Sequence, residues 1–259
     1  MRHAEPPTGY VELTVGSARV VCLADVADAV HSALREGTLY EYASRHPRAR
    51  SFAGRGISYA VPLPGNADNV VVRHNRHGGL LASLTGDLFR SPTRAPLELR
   101  VSTRLREVGV PTPIVVGYAI YPAAAGFERA DVMTREVSHS ADLSTALLSD
   151  DARLRQRALR ATGELIATLD RAGARHHDLN VKNVLLRETG DAIEAMALDV
   201  DRVTFGHSPE SVIEANLARL VRSARKWQSI HHARVTEAEL DEFARSVRDR
   251  SPAYVDTLS

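Results

Sequence analysis

The order of apolar and polar positions predicts a chain of two characters. Residues 10–23, YVELTVGSARVVCL, partly alternate and are rich in Val, so they read as a hairpin turned at Gly16 and Ser17. Over residues 24–45 the pattern becomes helical, with Asp25 as a candidate N-cap, and HPRARS breaks it. Residues 54–79, GRGISYAVPLPGNADNVVVRHNRHGG, read as two antiparallel strands with a Pro-Gly-Asn-Ala-Asp turn between them and a glycine pair at each end. Residues 94–108 form an amphipathic helix stopped by Gly109, and residues 111–123 and 129–138 form two more strands. From Asp142 onward helices dominate: a short one over 142–149, then longer ones over 151–172, 209–228 and 236–250. Strands followed by helices predict an α+β chain with two lobes. The first is strand-rich with one embedded helix (1–138), and the second is helical and carries the loops described below (139–259).

Composition narrows the classes without choosing one. The chain has 259 residues, 44% hydrophobic and 25% charged, with formal net charge +1, so bulk charge gives no argument for nucleic acid. Its one cysteine, Cys22, lies in RVVCLAD and reads as a buried strand thiol; it can form neither an intrachain disulfide nor a Cys-rich zinc site. MRHAEPPTGYVELTV has no apolar segment of the secretory type, and no apolar run approaches the roughly 20 residues that span a bilayer. A soluble or peripheral protein of the cytoplasm is the expectation.

The chemistry concentrates in residues 171–202, RAGARHHDLNVKNVLLRETGDAIEAMALDVDR, where Asp178, Asn183 and Asp199 stand among apolar residues. Carboxylates and amides carried into apolar surroundings need a partner, often a metal or a reacting group. The spacing His176-x-Asp178-Leu179-x-x-x-Asn183, with Asp199 further on, matches the protein-kinase catalytic loop and the metal-binding Asp that follows it. In that pattern short strands anchor in the core and the loop tips present the three polar residues. A helix capped by Asp178 and a surface turn at Asp199 is the other reading of this segment alone. Upstream, Gly54-Arg55-Gly56 lies between strand signals, the strand VVVRH ends with a cation at Arg73, and Glu98 lies on the amphipathic helix in position to pair with it. A lone G-x-G fits any hairpin, and Arg73 or Glu98 alone fits a solvated charge; four elements in this order favour a protein-kinase-like fold.

GRG, VVVRHNRHGG, HHDLNVKNVLL, LDVDR and NLARLVRSARK together resemble the bacterial lipopolysaccharide kinases, the Kdo and heptose kinases, from about Gly54 to Lys226. The resemblance implies an ATP- and Mg²⁺-dependent phosphotransferase. Its acceptor would be a hydroxyl of 3-deoxy-D-manno-octulosonic acid (Kdo) in the lipopolysaccharide inner core, on Kdo-lipid A. The protein would be peripheral on the cytoplasmic face of the inner membrane. By matched position Asp178 is the catalytic base, and Asn183 and Asp199 are the Mg²⁺ ligands. Gly54 and Gly56 form the turn over the phosphates, Arg73 contacts the phosphates and pairs with Glu98, and the backbone of Thr134, Arg135, Glu136 and Val137 meets adenine. Three departures bear on nucleotide positioning more than on fold: Arg73 stands where kinases carry Lys, Val200 where they carry Phe, and the turn has only two glycines. The A-P-E segment of protein kinases is not recognisable after Asp199, which counts against a protein acceptor. Another small hydroxyl acceptor and a nucleotide-binding pseudokinase are the competing functions. His74, His77, His231 and His232 lack companions at zinc spacing. Arg76 suits either an anionic group or a solvated turn. Helix residues 219–228 suit a solvated basic face with Trp227 packed inward, or contact with acidic lipid headgroups.

Overall fold

The computed structural model describes residues 5–54, 56–65, 68–75, 89–90, 93–190 and 192–250. Two compact units divide the chain: residues 1–103 with 114–136, and residues 104–113 with 137–259.

The first unit is built on one antiparallel sheet. Its strands are β1 (Tyr10–Val15), β2 (Ala18–Leu23), β3 (Arg50–Ala53), β4 (Ile57–Pro62), β5 (Asn69–His74), β6 (Phe89–Arg90), β7 (Val115–Pro122) and β8 (Phe127–Arg135). The main order is β1-β2-β7-β8-β5-β4-β3, and β6 adds to β8. Period-two alternation sends side chains to two apolar layers. Val20 and Cys22 of β2 and Met133 of β8 pack with Val30 of helix α1 (Ala27–Ala33) and with Leu39 and Ala43 of α2 (Leu39–Arg45). On the other layer Val21, Ala130 and Val132 pack with Ala95 and Leu99 of α3 (Ala95–Glu107). Cys22 is fully buried, and burial pushes its thiol up to about 11. It pairs with Gly117, where a Cβ would lie 2.6 Å from the Val21 carbonyl oxygen and 2.7 Å from the Cys22 Cβ, so only glycine lets β2 and β7 approach this closely.

The structure corrects two expectations here. The single helix over 24–45 is two helices, and Asp25 caps neither. Leu23 stands at the start of the 3₁₀ turn 24–26 without a side-chain cap, and α1 begins only at Ala27. Gly37, at φ +143°, breaks the helix, and Thr38 restarts it through a capping box with Glu41: the Glu41 N–H donates to Thr38 Oγ1 at 3.1 Å and the Thr38 N–H to Glu41 Oε2 at 2.9 Å. HPRARS does end the helix, with His46 already extended, and its last two residues, Arg50 and Ser51, open β3.

In the second unit α5 (Ala152–Arg171) is the core helix, touching α4 (Leu143–Leu148), α6 (Pro209–His231) and α7 (Glu237–Arg248). Asp151 caps α5 by accepting from the N–H groups of Arg153 and Leu154, and Thr236 caps α7 through a second capping box. The small strands are β9 (Ser140–Asp142), β10 (Arg175–His176), β11 (Val184–Thr189), β12 (Ala192–Ala197) and β13 (Val203–Thr204). They form a three-stranded sheet, β12-β11-β9, and a β10-β13 pair. Among the described residues no helix is long and apolar enough to cross a membrane.

Candidate functional site

The loops of the second unit bring three of the singled-out residues into one bonded assembly. Asp178 follows β10, Asn183 immediately precedes β11, and Asp199 lies two residues beyond β12. No helix starts at Asp178; the chain turns there and then enters β11. Leu179, Val181 and Val184 are buried and hold the loop down, while Asp178 and Asp199 stay partly exposed. Asn183 Nδ2 donates to the Asp178 carbonyl at 2.8 Å, and the Asn183 N–H to the Asn180 carbonyl at 2.9 Å. The Leu198 N–H donates to the Asn183 carbonyl at 2.9 Å, so Asp199 follows directly on a residue bonded to Asn183. Asp199 itself is left-handed, at φ +56° and ψ 45°, a region that Asp tolerates better than most residues but that strains any side chain.

His176 ties the two loops together. The ring is fully buried; its Nδ1 accepts from the Asp178 N–H at 3.2 Å, and its Nε2 lies 2.8 Å from the Leu198 carbonyl. A carbonyl only accepts, so Nε2 carries the proton and the imidazole is neutral. Burial lowers its proton affinity below the ordinary histidine value, against the opposing effects of the Leu198 carbonyl and of Asp199, Asp178 and Asp201.

Further residues complete the support. Asn216, buried on α6, accepts from the His176 N–H at 3.0 Å and donates to the Ala174 carbonyl at 3.2 Å. Ser223 Oγ accepts from the Val181 N–H at 3.2 Å. Lys182 pairs with Asp142 at 2.8 Å and lies 5.4 Å from the centre of the half-buried Trp227 ring, which also packs on His231. Sequence reasoning assigned no role to Asn216. Its signal was a polar residue on the stripe formed by Val212, Ile213, Leu217 and Leu220, all buried.

The first unit holds the other group. Arg73 on β5 forms an ion pair with Glu98, which lies in the first turn of α3 with 6% of its side chain exposed. A carboxylate in a first turn also meets the favourable end of the helix dipole. Gly54 and Gly56 close the β3–β4 hairpin, with the Gly54 N–H donating to the Gly56 carbonyl at 3.1 Å. Ser58 of β4 pairs with Arg73 of β5, so the turn and the cation share one end of the sheet. Arg55, Arg76 and His77 lie outside the described residues.

At residues 134–137 the structure separates the four backbones. The Arg135 N–H donates to the Ile114 carbonyl at 2.8 Å and the Glu136 N–H to the Asn69 carbonyl at 3.0 Å, while Thr134 is paired with Val71 and Val115 inside the sheet. The Glu136 carboxylate is held by Arg50, at 2.5 and 2.6 Å, and by Asn69 Nδ2 at 2.9 Å.

Among the described residues no three His, Cys, Asp or Glu side chains gather into a metal cluster. The donor set still suits a hard cation. Asn183 Nδ2 is engaged with the Asp178 carbonyl, so Oδ1 is the amide atom that could face a cation, and Asp199 adds a carboxylate on the adjoining loop. Mg²⁺ commonly takes only one or two carboxylates and completes its shell with water and substrate phosphates.

Comparison with known proteins places this arrangement. The lipopolysaccharide kinase (Kdo/WaaP) family model matches residues 49–246. The chain is 33% identical to a 3-deoxy-D-manno-octulosonic acid kinase of Actinobacillus succinogenes over 194 residues, 72% of this chain and 78% of the relative. It is 34% identical to a kinase of the same name from Vibrio vulnificus over 190 residues, 70% and 76% of the two chains. A solved structure described as WaaP in complex with acyl carrier protein aligns with 83% of this chain and 94% of its own, at 16% identity and TM-score 0.46. With the family model matching most of its length, the chain belongs to the lipopolysaccharide kinase (Kdo/WaaP) family and is a phosphotransferase.

Proposed function

We propose that this protein transfers the γ-phosphate of ATP to a hydroxyl of Kdo in the lipopolysaccharide inner core. The observation that carries this reading is the bonded assembly of Asp178, Asn183 and the Asp199 loop through His176. Asp178 accepts the proton of the attacking hydroxyl and aligns its oxygen. Its backbone is fixed by bonds from its N–H to His176 and from Asn183 to its carbonyl, so the carboxylate starts from a defined position. Mg²⁺ would be held by Asn183 Oδ1 and Asp199, where it offsets phosphate charge. Arg73, oriented by Glu98, binds phosphate oxygens through a planar fork that Lys lacks. Gly54 and Gly56 leave room over the phosphates. With the N–H groups of Arg135 and Glu136 engaged in the sheet, the Val137 N–H is the donor that this segment offers to adenine. The names of the relatives, 3-deoxy-D-manno-octulosonic acid kinases, support Kdo as the acceptor. With an acceptor on lipid A, the protein would work peripherally at the cytoplasmic face of the inner membrane, and the exposed Arg222 and Lys226 of α6 suit acidic headgroups.

Purified protein incubated with ATP, Mg²⁺ and Kdo-lipid A should add one phosphate to the lipid, read by mass spectrometry. Transfer to a different acceptor, with Kdo-lipid A unchanged, would overturn the acceptor.

A further inference from the structure

A set of cations beside Asp178 has no part in the chemistry above. Arg175 lies opposite Thr204 in the β10–β13 pair, and the His177 N–H donates to the Arg202 carbonyl at 3.0 Å. His177 Nε2 and His207 Nε2 each lie 2.8 Å from Thr204 Oγ1. With one proton and two lone pairs, the Thr204 hydroxyl can bond both rings at once, which links the two imidazoles through one side chain. Arg219 enters from α6, three residues after Asn216, whose side chain is bonded to Ala174 and His176. The cations are near enough to act on one another: lost hydration, then Arg175, Arg219, His207 and Arg202, hold the proton affinity of His177 below its ordinary value.

Among the described residues the guanidinium groups of Arg175, Arg202 and Arg219 make no hydrogen bond or ion pair. All three are half-buried, and the Nε of Arg175 is buried without an acceptor. Half-buried cations without an ion pair are less favourable in the protein alone than once an anion arrives. Guanidinium groups pair with carboxylate or phosphate through two parallel bonds.

We propose that Arg175, Arg202 and Arg219 form, with His177, an anion site that holds the acid group of the acceptor sugar and presents its hydroxyl to Asp178. The proposal rests on the acceptor reading above. Kdo is a sugar acid, so one molecule supplies both the carboxylate and the hydroxyl. His177 adjoins Asp178 in the chain, and the anion site therefore lies beside the residue that receives the hydroxyl proton.

Initial rates with ATP should be measured for the wild type, Arg175→Gln and Arg219→Gln on three acceptors. These are Kdo-lipid A, the same lipid with the Kdo carboxyl amidated, and Kdo-lipid A stripped of its lipid phosphates. Charged hydrogen bonds are worth about 1.5–3 kcal/mol, so the acceptor KM should rise on the order of ten- to a hundredfold in each variant, with the KM for ATP unchanged. The amidated lipid should be a poor acceptor for the wild type and no poorer for the variants, and the dephosphorylated lipid should behave as the native one. Unchanged acceptor KM, or the same loss on the amidated lipid, overturns the proposal. A loss that disappears only with the dephosphorylated lipid assigns the cations to lipid phosphates and overturns it as well. If the wild type phosphorylates no Kdo acceptor, the acceptor reading has failed separately, and calorimetry with inorganic phosphate decides. Phosphate bound by the wild type and lost in Arg219→Gln keeps an anion site, and no binding by the wild type removes it.

Discussion

The two groups of functional residues are held in place by different means. In the second unit, the loops carrying Asp178, Asn183 and Asp199 are tied at several backbone points: the His176 ring joins the Asp178 N–H to the Leu198 carbonyl, the Asn183 side chain bonds the Asp178 carbonyl, and the Leu198 N–H bonds the Asn183 carbonyl. In the first unit, Arg73 is held through a side-chain ion pair with Glu98, and the glycine turn carries a bond across it from the Gly54 N–H to the Gly56 carbonyl. A loop tied at several points keeps most of its bonds when one of them is lost. A cation held through side-chain pairing depends on its partner. The difference suits the division of labour: proton transfer needs placement within a hydrogen bond's length, whereas charge on a phosphate acts over a longer range.

Substitutions at three positions test this contrast, in falling order of effect. Asp199→Asn removes the carboxylate but keeps the side chain's shape. Metal charge stabilisation is worth several kcal/mol, and each 1.36 kcal/mol is tenfold in rate, so turnover should fall on the order of a thousandfold while circular dichroism and Tm stay unchanged. Near-normal turnover in a folded Asp199→Asn protein would remove Asp199 from metal binding. Arg73→Ala should leave kcat less affected and raise the KM for ATP on the order of ten- to a hundredfold, the worth of a charged hydrogen bond. Arg73→Lys should recover part of the loss, and an unchanged KM in Arg73→Ala would show that the pair with Glu98 is structural only.

The smallest effect is on stability and concerns His176. The folded protein keeps this ring neutral, with its proton affinity lowered by burial, whereas the unfolded chain protonates near the usual 6.5. Stability should therefore be full above that pH and decline as pH falls below it, because the unfolded state takes up the extra proton. His176→Gln should cost about 1–3 kcal/mol at pH 8 from bonds left unmet, and its urea midpoint should fall less steeply between pH 7 and 5. Equal slopes in the two proteins would contradict the neutral, buried ring.

The contrast also explains what the amino-acid sequence revealed. Asp178, Asn183 and Asp199 were legible because a backbone-bonded loop needs fixed spacing, and buried Leu179 and Val184 mark where the strands begin. The change from period two to helical period likewise showed strands before helices. β3 escaped because all four of its residues are exposed and no alternation marks it. The break in the first helix was written in Thr38-Leu39-Tyr40-Glu41, a capping box that the helical periodicity on either side obscured. Asn216 was hidden for another reason. Its partners, Ala174 and His176, lie on a different element 42 and 40 residues away, and spacing along one helix carries no trace of them. The basic cluster around His177 was equally silent, since it forms only when β10, β13 and α6 come together.

The central claim is that Asp178 positions and deprotonates the acceptor hydroxyl, and Asp178→Ala tests it most directly. Nucleotide affinity by calorimetry should be measured beside transfer to Kdo-lipid A by lipid mass spectrometry. The account predicts ATP affinity close to that of the wild type and a kcat lower by about 10²–10⁴, the usual worth of a general base, with any further loss reflecting acceptor alignment. Unchanged turnover in a folded Asp178→Ala protein would contradict it, as would a wild-type protein that binds ATP and transfers phosphate to nothing.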